Sequence, residues 1–106
     1  MSNGNGELMT VKIVRNEKGS PAGKLADAEV IFEAASGPFN GLKLLGFAIW
    51  ERQTGERNVT FPSRAYSVNG ERRNFALLRP ANGQAAMQNA IRQAILDAYK
   101  SVEQAS

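Results

Sequence analysis

The chain has 106 residues, 42% hydrophobic and 22% charged, a size and balance that fit one globular domain with a modest core. It contains no cysteine and no histidine, which excludes disulfides, thiolate nucleophiles, zinc centres with nitrogen or sulfur ligands and acid–base catalysis by imidazole. Its formal charge is +3, and no apolar run approaches the roughly 20 residues of a membrane span.

Residues 1–7 are polar and glycine-rich and read as a disordered tail, leaving 8–103 as the domain. They lack the basic start and apolar core of a signal peptide, so the expected location is cytoplasmic. Leu8 to Arg15 alternates, with Val11 and Ile13 on one side and Thr10 and Lys12 on the other, and predicts a strand. Asn16 to Gly23 gathers Gly, Pro, Ser and Asn and predicts a loop between antiparallel neighbours. Lys24 to Phe32 gives the clearest period of two, with Ala26, Ala28, Val30 and Phe32 facing one way and Asp27 and Glu29 the other. Glu33 to Asn40 is a turn, broken at Ser36-Gly37-Pro38.

Leu42 to Trp50 predicts the central strand. Leu42, Leu44, Ala48 and Trp50 share one face and Leu45, Phe47 and Ile49 the other, so both faces are apolar and burial on both sides is expected. One face would meet a helix and the other a second subunit, making Leu45, Phe47, Ile49 and Trp50 a candidate homodimer interface. Gly46 marks a bulge or a close backbone approach. Gln53 to Glu56 is a Gly-containing turn and Asn58 to Phe61 the return strand, which Pro62 ends by removing a donor. Ser63 to Gly70 reads as a loop finishing in the tight Asn69-Gly70 turn, and Arg72 to Arg79 as another strand, closed by Pro80. After Asn82, a good cap, Gly83 to Val102 predicts a helix. Met87, Ala90, Ile91, Ala94, Ile95, Ala98 and Val102 recur three and four apart and form its seat on the sheet, with Met87 as filler. The expected fold is α+β: a curved antiparallel sheet of about five strands with one long C-terminal helix packed on it.

The excess charge is concentrated. Between residues 52 and 79 stand Arg52, Arg57, Arg64, Arg72, Arg73 and Arg79 against Glu56 and Glu71, a net of +4. Every basic residue there is arginine, whose planar fork pairs bidentately with phosphate and stacks on bases. With Tyr66 as a stacking residue, this set is the candidate nucleic-acid surface. The competing reading is ordinary solubilising charge on strand faces and edges. Asp27, Glu29 and Glu33 read as a solvated strand face rather than a metal site. No catalytic residue, metal, cofactor, small-molecule substrate or membrane partner is expected.

Several segments resemble the SpoVG family of small bacterial regulators, in the family's order. They are Gly23-Lys24-Leu25 leading into Ala28 to Phe32; Phe61-Pro62-Ser63-Arg64; Asn69-Gly70-Glu71; and Ala94-Ile95-Leu96-Asp97-Ala98-Tyr99. The likeness spans roughly Val11 to Lys100. It implies a homodimer that binds DNA or RNA and regulates gene expression, including sporulation and septation processes, without catalysis, and it adds Lys100 to the candidate contacts. The chain departs from the family pattern at Gln88 and Ala90, where relatives tend to carry basic residues, and at Ser101, where a second basic residue would stand. The arginines at 52 to 79 would therefore supply more of the contact. Two alternatives share the pattern of strands followed by a helix: a Whirly-type or coactivator-like single-stranded DNA-binding protein, and a protein-interaction module without nucleic acid.

Overall fold

In the computed structural model, which describes residues 9–33 and 37–105, the chain forms six strands and then a helix. These are β1 (Met9–Arg15), β2 (Lys24–Phe32), β3 (Lys43–Glu51), β4 (Arg57–Thr60), β5 (Ser63–Val68), β6 (Glu71–Ala76) and α1 (Ala86–Ala105). The expected tail at 1–7 and part of the turn at 33–40 lie outside the described residues. The α+β class stands, but the strands divide into two antiparallel sheets rather than one. Strands β1 to β4 form a four-stranded meander in chain order, and among the described residues β5 and β6 pair only with each other.

The meander is held by its inner face. Val11 on β1, Ala26, Ala28 and Val30 on β2, Phe47 and Ile49 on β3 and Val59 on β4 are buried together with Ala94, Ile95, Ala98 and Tyr99 of α1. Small side chains on β2 let the bulky Phe47, Ile49 and Ile95 meet across the layer, and each such residue contributes about 1.5–3 kcal/mol by leaving water. The helix seats its last three turns over β1 and β4. Its first turn overhangs, and Met87 is 70% exposed, so it does not fill the core as expected. The helix also begins later than its sequence suggests. The Asn82 side chain accepts a hydrogen bond from the Gln84 N–H (3.1 Å) in a local turn instead of capping α1. Among the described residues no helix is long and apolar enough to cross a membrane.

A bulge in β3 corrects the two-faced reading of that strand. Val30 pairs with Leu44 and Ala28 with Phe47, so two residues, Leu45 and Gly46, stand opposite Glu29 alone. The extra residue flips the parity. Leu44, Phe47 and Ile49 all turn toward the helix, while Leu45 turns out. Gly46 sits at φ +105°, and a Cβ there would lie 2.9 Å from the Cβ of Pro62. The glycine therefore serves both a backbone conformation that side chains disfavour and a close approach by the chain leaving β4.

That approach sets the position of the second sheet. Phe61 packs edge-on against Phe47 (ring centroids 5.1 Å apart) and Pro62 is buried behind it, so the chain leaves the meander from a fixed point. The Leu77 N–H donates to the Pro62 carbonyl (2.9 Å) and closes the base of the β5–β6 hairpin. At its tip Asn69 (φ 52°) and Gly70 (φ 79°) both adopt the left-handed conformation of a two-residue hairpin turn. The hairpin is thus an arm of six paired residues per strand, exposed on almost its whole length.

Candidate nucleic-acid interface

The six arginines separate into two groups once their neighbours are in place. Arg57 lies on the inner face at the end of β4, directly across from Glu51. Its guanidinium donates to both carboxylate oxygens of Glu103 on α1 (2.9 and 2.6 Å) and to Glu51 (3.3 Å), and stacks over the Tyr99 ring at 5.1 Å. The Glu103 hydrogen bonds raise the Arg57 pKa further above its already high value, and the same bonds hold the Glu103 carboxyl below the ordinary carboxylate range. Arg57 clamps the end of the helix to the sheet, and this half-buried cation is engaged by the fold rather than presented to a ligand. Arg52 pairs with Glu56 across the β3–β4 turn (3.2 Å).

The other four lie on or just beyond the hairpin. Arg73 pairs with Glu71, two residues away on the same strand (2.9 Å); both side chains are well exposed, and such a pair costs little to exchange for another anion. Arg64 and Arg72 are exposed and, like Arg79 past the end of β6, have no carboxylate partner among the described residues. Arg64, Arg72, Arg73 and Arg79 against Glu71 leave the hairpin and its exit with a net charge of +3. Tyr66 stands with them, 39% exposed and edge-on to Phe75 at 5.6 Å. Lys100 is exposed on α1, well along the helix, where its charge helps stabilise the Glu103 carboxylate.

Of the residues expected at a subunit interface, Phe47 and Ile49 have no accessible surface in the single chain, because the bulge turns both into the chain's own core. Leu45 is exposed and Trp50 half-buried on the outer face, the Trp50 indole N–H donating to the Thr60 hydroxyl (2.9 Å). Phe75 and Leu77, whose alternation in Arg72 to Arg79 predicts a strand dipping into the core at its middle, are instead 41% and 55% exposed, because β6 pairs with β5 outside the meander. Val68 and Phe75 share a face with Tyr66, Arg64 and Arg73, and Leu77 follows in the same parity. The signal for the hairpin was the Asn69-Gly70 turn, which requires a strand on each side. The acidic residues of the outer face are occupied: Asp27 pairs with Lys24 (2.7 Å) and Glu29 with Lys43 (3.1 Å). Comparison with known proteins adds no constraint: no protein-family model, curated protein or solved structure matches the chain significantly.

Proposed function

We propose that the chain is a non-catalytic, nucleic-acid-binding regulator of the SpoVG type, acting as a homodimer through the β5–β6 arm. The observation that carries this reading is the partition of the arginines. Those on the meander, Arg52 and Arg57, are neutralised by carboxylates, while among the described residues Arg64, Arg72 and Arg79 on the arm and its exit have no carboxylate partner and Arg73 has only the exposed, readily exchanged pair with Glu71. Arginine held on a projecting element without a carboxylate partner is available for bidentate contact with phosphate. The homodimer is supported by the apolar face of the arm. An isolated two-stranded hairpin is marginal in water, and Tyr66, Val68, Phe75 and Leu77 give a second copy something to cover.

Electrophoretic shift on duplex DNA, single-stranded DNA and RNA at two salt concentrations tests the reading. If three arginines per protomer meet phosphate, the log–log dependence of affinity on salt should have a slope of about −3 per protomer, twice that for a dimer. The triple variant Arg64→Gln, Arg73→Gln, Arg79→Gln should flatten the slope, whereas Arg52→Gln should leave it in place. A complex indifferent to salt, or none on any of the three polymers, refutes the proposal.

A further inference from the structure

The two faces of the β5–β6 arm differ in kind, and the difference assigns them different partners. Side chains alternate along paired strands. The register joins Arg64 to Phe75, Tyr66 to Arg73 and Val68 to Glu71 on one face, and Ser63 to Ala76, Ala65 to Asn74 and Ser67 to Arg72 on the other. The first face is bulky and partly apolar. The second carries only Ser and Ala apart from Arg72 and Asn74, both exposed.

Resting on the nucleic-acid reading above, we infer that this second face is a reading head for the major groove of duplex DNA. Three properties point there. The major groove, about 12 Å wide, admits a two-stranded ribbon, and this ribbon pairs with no other strand among the described residues. Short Ser and Ala side chains let the backbone come close to the base edges, which long side chains across the whole face would prevent. The two that project are the types whose forks match purines: Arg pairs with O6 and N7 of guanine, Asn with N6 and N7 of adenine. Arg72 and Asn74 are two residues apart on β6, roughly 6.8 Å along the strand at about 3.4 Å per residue, which equals two base-pair steps of B-DNA. In this arrangement Arg72 and Asn74 read bases and the Tyr66–Phe75 face turns toward protein, while Arg64 and Arg73, which lie on that face but one on each strand of the ribbon, reach round its edges, with Arg79 beyond it, to the flanking phosphates. A-form RNA, whose major groove is deep and narrow, would not accept the ribbon.

The test uses the full chain with a pool of duplex DNA randomised at its centre, followed by dimethyl sulfate probing, which methylates guanine N7 in the major groove and adenine N3 in the minor groove. Selection should enrich a guanine and an adenine two steps apart, and the bound duplex should protect guanine N7. Arg72→Ala should relax the guanine preference about tenfold or more, and Asn74→Ala should do the same at the adenine. Both positions are exposed, so an unchanged circular dichroism spectrum shows that the variants fold. Retarded complexes that protect adenine N3 alone, protect neither groove, or keep their sequence preference in both variants would overturn the reading head and leave nucleic-acid binding standing. Failure to retard any duplex, single strand or RNA would overturn both.

Discussion

Gly46→Ala isolates the contact that fixes where the arm leaves the meander. Two costs arise there. Alanine must adopt φ +105°, a strain of about 1–2 kcal/mol, and its Cβ must lie 2.9 Å from the Cβ and 3.5 Å from the Cα of Pro62. Pro62 is rigid and buried, so relief requires a backbone shift, an overpacking penalty of about 1–3 kcal/mol. Gly55→Ala supplies the comparison. Gly55 also has positive φ, +91°, but nothing lies within 4 Å of the added atom, so that variant pays the strain alone. The gain from a less flexible unfolded chain, about 0.4–1 kcal/mol, is common to both. Gly46→Ala should therefore be less stable than Gly55→Ala by about 1–3 kcal/mol. With a urea dependence of about 1–3 kcal/mol per molar, its unfolding midpoint should fall lower by about 1 M. Trp50, the lone tryptophan, reports the transition by fluorescence. Adding Pro62→Gly removes the opposing Cβ and should return part of the loss, a coupling visible in a double-mutant cycle. Equal midpoints for the two alanine variants, or no coupling to Pro62, would refute the steric account.

The clamp and the outer face can be tested in the same way. Arg57→Met keeps the aliphatic stem but removes the ion pairs to Glu103 and Glu51 and the stack on Tyr99. It should destabilise by about 1–3 kcal/mol in urea unfolding, and proteolysis should release the end of α1 first. Because the Arg57 hydrogen bond holds the Glu103 pKa below its unfolded value, the folded state takes up that proton less readily. The associated stability is present above the usual carboxylate range and is lost as pH falls through it, below about 4.3. Arg57→Met should flatten that acid limb, and an unchanged pH profile would sink the assignment. Thr60→Val leaves the Trp50 indole N–H without its acceptor and should cost about 1 kcal/mol with a shift in Trp50 emission.

Much of the meander was legible in the residues. The strict alternation of Ala26, Ala28, Val30 and Phe32 against Asp27 and Glu29 identified β2 and its buried face, and the spacing of Ile91, Ala94, Ile95 and Ala98 identified the seat of α1. The faces of β3 were not legible, because a bulge changes which residues face the core without changing the composition around it. Strand β5 was hidden for a different reason. Pro62 ended one ladder, and Ser63, Ala65 and Ser67 make its inner alternation weakly apolar, so the segment read as a loop although the turn after it demanded a partner. The sorting of the arginines lay further out of reach. Glu103 is 46 residues from Arg57, and only the folded register shows which cations have already found carboxylates.

The arm exposes main-chain hydrogen-bonding groups along both of its long sides, since neither β5 nor β6 joins the meander. Such a surface invites further arms to add themselves laterally, one copy after another, into a growing fibre. Stacked in that way, Arg64, Arg72 and Arg73 of successive copies would sit close enough to repel. Charge placed there opposes such self-addition, so neutralising these positions should be felt in solubility sooner than in the integrity of the fold.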